Sequence, residues 1–173
     1  MHIDEIFDLA KQNLMRDGEL ETTIILVTKT AICACATEEV PADYFDQLDL
    51  LLHMGHRLVK RYPLNTIEEI FIVSEAWTHG TFQDDGTPMY QHPTDDPKRR
   101  EILVVNSFNT ATADEVTYSA EIIRSGSVDL LALPQLEKHS PEMLALFTGL
   151  RCAHIPDEQF EEIITQARQQ FNF

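Results

Sequence analysis

Apolar residues recur along this chain at two spacings, and the changes between them outline the elements. Ile3, Ile6, Phe7, Ala10 and Leu14 fall at helical spacing, and Gly18 stands just beyond them, so a one-faced helix is predicted to open the chain. The β-branched run "ETTIILVTK" and the run "AICACAT" follow. With Lys29 and Thr30 between them they are predicted to form a hairpin, with one long strand as the alternative. Residues 41–62 give the clearest helix, with Pro41 or Asp43 at its start. Its apolar face holds Leu48, Leu51, Leu52, Gly55, Leu58, Val59 and Tyr62, and Pro63 closes it.

From residue 67 the period shortens. "IEEIFIVSEAW" is apolar on both faces and reads as a central strand. Residues 78–99 carry Gly80, Gly86, Pro88, Pro93 and Pro97, too many breakers for a regular element, so a long loop is predicted. "REILVVNSF", "EVTYSAEIIR" and "SVDLLALP" are three further strands, the last two joined by a turn at Gly126. A short helix from Ser140 and Pro141 is expected to end at Gly149. A final helix from Asp157 is expected to bury Phe160, Ile163, Ile164, Ala167 and Phe171. Successive strands with short links argue antiparallel pairing. The expected class is therefore α+β: a single, mostly antiparallel sheet of four to six strands with four helices packed on it, in one globular domain spanning residues 1–173.

Composition adds one constraint. There are 29 acidic and 13 basic residues, for a net charge of −16, and half of that excess falls in residues 1–50, where 11 acids face 3 bases. A chain so charged repels phosphate backbones and anionic lipid, so neither direct nucleic-acid binding nor membrane association is expected. A basic protein partner or a homo-oligomer is compatible with it. No apolar stretch has the length of a membrane span, and the acidic N-terminus is unlike a secretory leader, so a cytoplasmic setting is expected. Cys33, Cys35 and Cys152 are then expected as free thiols.

The candidate chemistry centres on "SEAWTHG", residues 74–80, which holds the only tryptophan. Glu75 shares a strand face with Phe71, Val73 and Trp77, where water is scarce, so its carboxylate needs a cation. The nearest basic cluster is Lys98, Arg99 and Arg100 at the start of the next strand. Arg99 or Arg100 is predicted to fork onto Glu75 across the mouth of the 78–99 loop, with Trp77 covering the pair. The candidate binding residues are Glu75, Trp77, His79, His92, Arg99 and Arg100. If the site is catalytic, Glu75 is its general acid or base, His79 the alternate base and Arg100 the electrostatic support.

Other groups promise less. His53 and His56 on the long helix are assigned to a solvated polar face. The acids and histidines of the 78–99 loop match no metal-binding spacing, and no metal is expected. No dinucleotide, phosphate-loop or nucleophile-elbow motif is present, so no cofactor is expected.

Ser74, Glu75, Ala76 and Trp77, then Pro93, Asp96, Arg100, Glu101, Leu103 and Val105, resemble an uncharacterised family of small bacterial proteins. That family shares an S-E-A-W strand end, a proline-bearing loop and an R-E-x-L-x-V strand. The resemblance covers about a third of the chain, implies no activity and directs attention to the loop. The expected function is a non-catalytic protein-interaction or small-ligand-binding module, a homodimer being one form of it. The alternative is a small hydrolase with Glu75, an arginine and His79 at the loop mouth.

Overall fold

The computed structural model describes residues 2–37, 41, 44–89, 93–125, 127–133, 141–152 and 154–171. In chain order the elements are α1 (Ile3–Asp17), β1 (Thr23–Thr28), β2 (Ile32–Ala36), α2 (Tyr44–Arg61), β3 (Ile67–Thr78), β4 (Arg100–Asn109), β5 (Glu115–Arg124), β6 (Val128–Ala132), α3 (Pro141–Arg151) and α4 (Asp157–Phe171). The strands form one six-stranded antiparallel sheet in the order β2-β1-β3-β4-β5-β6, and with the four helices this is the expected α+β class. Residues 18–22 feed β1 back along β3. The Leu20 N–H bonds to Glu75 near the end of β3, while the Lys29 N–H bonds to the Thr66 carbonyl just before its start.

Contacts gather the chain into two compact units: Met1–Val27 with Ala31–Glu38 and Glu69–Lys138, and Thr28–Thr30 with Glu39–Glu68 and His139–Phe173. In the first, α1 lays its predicted stripe on one sheet face. Ile6, Phe7, Ala10 and Leu14 pack with Phe71, Val73, Leu103, Val105, Ala120 and Ile122. Each large member contributes about 1.5–3 kcal/mol by leaving water. Gly18 ends α1 in the left-handed conformation, with φ of 85° and its N–H on the Leu14 carbonyl. The opposite sheet face carries Ile24, Leu26, Ile70 and Ile72, all buried.

In the second unit α2 and α3 touch along much of their length, with glycine on both sides of the contact. A Cβ on Gly55 would lie 2.1 Å from the Leu146 carbonyl oxygen, and one on Gly149 would lie 1.9 Å from that of Leu52. Gly149 was expected to end the short helix. Instead α3 runs through it to Arg151, because the residue serves the crossing and not a cap. His56 was placed on a solvated face, yet it is 2% exposed. Its ring stacks on Phe160 at 4.0 Å, and its Nε2 pairs with the Ile155 carbonyl at 2.9 Å. His53 meets Glu161 at 3.0 Å. The helix α4 covers that side of α2, and the spacing within α2 alone holds no trace of it. In α4 itself Phe160 is buried, but Ile163 is about half exposed, against expectation. Ala167 and Phe171 lie outside the described side chains.

Candidate functional site

Strand alternation builds the site. Glu75 and Trp77 continue the α1-facing row of Phe71 and Val73. Across the β3–β4 ladder Glu75 lies opposite Leu103 and Trp77 opposite Glu101, so Glu101 shares that face. Across β4–β5 Leu103 lies opposite Ala120, which puts Ile122 and then Arg124 on it as well. Beyond the apolar core the row therefore ends in two carboxylates, an indole and a guanidinium from three strands.

Arg124 is the cation that Glu75 requires. Its Nη2 donates to Glu75 Oε2 at 2.8 Å, and the same nitrogen with Nε forks onto both oxygens of Glu101, also at 2.8 Å. Its Nη1 donates to the Gly18 carbonyl. The other oxygen of Glu75 accepts the Leu20 N–H at 2.5 Å. Burial holds the Glu75 carboxyl above its ordinary range, reinforced by neighbouring Glu101 and opposed by Leu20 and Arg124. The arginine fork draws Glu101 below its own range.

The predicted partners Arg99 and Arg100 do other things. Arg100 opens β4 opposite Thr78, on the face away from Glu75, and Arg99 precedes the strand. Arg100 reaches Glu121 at 3.4 Å on the far face. Arg99 lies over the Trp77 ring, 4.7 Å from its centre, and donates to the Thr94 carbonyl at 2.6 Å. Trp77 thus stacks with Arg99 instead of covering the Glu75 pair, and the indole is 45% exposed. His92 lies outside the described residues.

The base of the 78–99 loop is more ordered than its breakers suggest. A bridge joins Phe82 to Pro88 around a turn at Gly86, and residues 93–95 form a 3-10 turn. Asp96, fully buried, gathers the base. Its carboxylate accepts the N–H groups of Gly80, Thr81 and Lys98 and the Thr81 hydroxyl, all at 2.7–2.8 Å. Burial alone would push Asp96 up, but these bonds outweigh it and hold the group at about 2. His79 places Nδ1 3.9 Å from Asp96, and that buried nitrogen has no hydrogen-bond partner among the described residues.

Two outcomes follow. The ordinary Asp96 value is 3.8, so its depressed pKa contributes stability above about pH 4 that is lost as pH falls toward 2. Emission from Trp77, which lies just before the Gly80 and Thr81 that Asp96 holds, should shift in that window, and Asp96→Asn should abolish the shift; an acid response unchanged by the substitution would contradict this role of Asp96. Gly80 has no room for a side chain, since a Cβ would sit 1.6 Å from the Lys98 carbonyl oxygen. Gly80→Ala should cost about 2 kcal/mol in a thermal melt, less than a core clash because the loop base can shift.

Sequence reasoning missed Glu101, Arg124 and the role of Asp96. Period-two alternation from Leu103 was enough to find Glu101. Arg124 required the registers of two successive ladders.

A protein-family model, bacteriophage lambda protein ea47, matches residues 1–162. The chain belongs to the ea47 family. The match spans both units and brings no activity with it. No curated protein and no solved structure matches this ea47-family chain. Among the described residues no cluster of histidines, cysteines and acids is arranged to hold a metal ion, and no helix is long and apolar enough to cross a membrane.

Proposed function

We propose that the protein is a non-catalytic binding module whose contact surface is the Trp77–Arg99 stack at the loop mouth. The observation carrying this reading is the occupancy of Glu75. One of its oxygens takes the Leu20 N–H and the other takes Arg124, so both are engaged in structural bonds on a side chain only 18% exposed, a poor placement for abstracting a proton from a ligand. Trp77, by contrast, is 45% exposed and lies beneath a guanidinium with further donors to offer. Phe82, about half exposed on the same loop, adds apolar surface. The partner this surface fits offers an apolar or planar group to the indole and a carboxylate to Arg99.

Trp77 is the only tryptophan, so its fluorescence reports this site alone. Titration with peptides ending in an aromatic residue and a free carboxylate should give a saturable change that Arg99→Met removes without altering the far-ultraviolet circular dichroism. The hydrolase alternative makes the opposite forecast. If the protein turned over p-nitrophenyl esters or phosphates, and Glu75→Gln abolished turnover at an unchanged melting temperature, the binding reading would fall.

A further inference from the structure

The edge of the sheet at β2 is unlike the rest of the surface. Residues 30–37, "TAICACAT", hold no charged residue in a chain of net charge −16. The strand is exposed on both faces: Ile32, Ala34, Cys35 and Ala36 are exposed and Cys33 is partly so. Edge strands are ordinarily blunted by lysine, proline or a bulge, because their outer N–H and C=O groups template pairing with another chain. No such device occurs within β2, whereas the opposite edge strand, β6, carries Asp129.

The ladder with β1 fixes which backbone groups point outward. The Thr37 N–H bonds to the Thr22 carbonyl at 2.9 Å. Hydrogen-bonded pairs alternate in an antiparallel ladder, so Cys35 and Cys33, opposite Ile24 and Leu26, turn their backbone groups toward β1. Ile32, Ala34 and Ala36 turn theirs outward. The one side-chain contact on them among the described residues is a weak approach of the Cys35 thiol to the Ala36 carbonyl at 3.9 Å.

We infer that β2 is a self-association edge, taking the β2 of a second copy of this chain in antiparallel register about a two-fold axis at Ala34. That register overlaps the whole strand. Ile32 meets the partner's Ala36, large against small, and Ala34 meets itself, forming about six hydrogen bonds between outward-facing groups. Cys33 then stands opposite the partner's Cys35 in a non-hydrogen-bonded pair. In such a pair the Cα atoms are about 4.5 Å apart, within the span a disulfide bridges. A second copy fits better than a basic partner because the strand offers no carboxylate to pair with. The uncharged strand also lets two strongly acidic chains approach without charges in contact. Their remaining repulsion is screened by salt, so the association strengthens as ionic strength rises.

The test uses the full chain. Light scattering after size exclusion should give about twice 19.8 kDa at high protein concentration, with a dimer fraction that grows from low to high salt. Ala34→Pro should give a folded monomer, because the N–H it removes faces away from β1. Mild oxidation with oxidised glutathione, which takes up the two electrons and two protons released by a thiol pair, should link Cys33 of one chain to the partner's Cys35. Cys33→Ser and Cys35→Ser should each lose that link. A strictly monomeric chain in high salt, a dimer that survives Ala34→Pro, or intermolecular linkage through Cys152 alone would overturn the inference.

Discussion

Arg124→Met should lower stability by about 2–3 kcal/mol, a fall of roughly 5–10 °C in melting temperature for a chain of this size. Arg124 is the cation shared by Glu75 and Glu101, and the substitution leaves both carboxylates together on a largely water-excluded face. Removing one partner of a fully buried ion pair costs about 3–5 kcal/mol. The lower figure allows for screening, because the Arg124 side chain is 39% exposed. The deficit should depend on pH. Burial and neighbouring Glu101 already raise the Glu75 carboxyl, and without the guanidinium nothing cationic opposes them, so the stability Glu75 contributes is retained below about pH 4.5 and lost as pH rises through its raised value. Melts should therefore bring the variant closer to wild type at pH 4.5 than at pH 8. Adding Glu75→Gln and Glu101→Gln should restore much of the loss at pH 8. An equal deficit at both pH values would mean that Arg124 acts through packing and not through charge.

Gly149→Ala should cost at least about 2 kcal/mol, although alanine is the better helix former by about 1 kcal/mol. The propensity gain is real but small. Against it stands a methyl group 1.9 Å from the Leu52 carbonyl oxygen and 2.9 Å from the His56 nitrogen, both backbone atoms of a packed helix that cannot step aside singly. Overpacking of this kind costs about 3 kcal/mol, so the clash wins. Thermal denaturation by circular dichroism at 222 nm measures the balance. A variant that melts higher than wild type would show that α2 and α3 do not approach so closely. Gly55→Ala should behave alike, for its Cβ would meet the Leu146 carbonyl oxygen.

The two predictions rest on features of different legibility. That Glu75 must find a cation could be read from its position in an apolar strand face, because an isolated buried carboxylate is too costly to leave alone. Which cation it finds could not. Arg99 and Arg100 are close in sequence and sit across the very hairpin that carries Glu75, yet Arg100 opens β4 on the opposite face, and Trp77 claims the side chain of Arg99, which precedes the strand. Arg124 is remote in sequence and arrives because the β3–β4 and β4–β5 registers add. The histidines of α2 carry the same lesson. Their spacing matched a polar stripe, but a stripe is solvated only where no other element covers it, and Phe160 of α4 stacks on His56.

Periodicity determined the helices, the succession of the strands along the chain and the face of α1 that meets the sheet, and the short links between strands determined the antiparallel class. The periodic features are dictated by the burial of apolar side chains at spacings of 3.6 or 2, a property of neighbouring residues. The ion-pair partners, the glycine crossing of α2 and α3, the burial of His56 and the gathering of loop backbone around Asp96 were decided only by the tertiary structure. They depend on strand register and helix approach, which bring together residues that no local spacing relates.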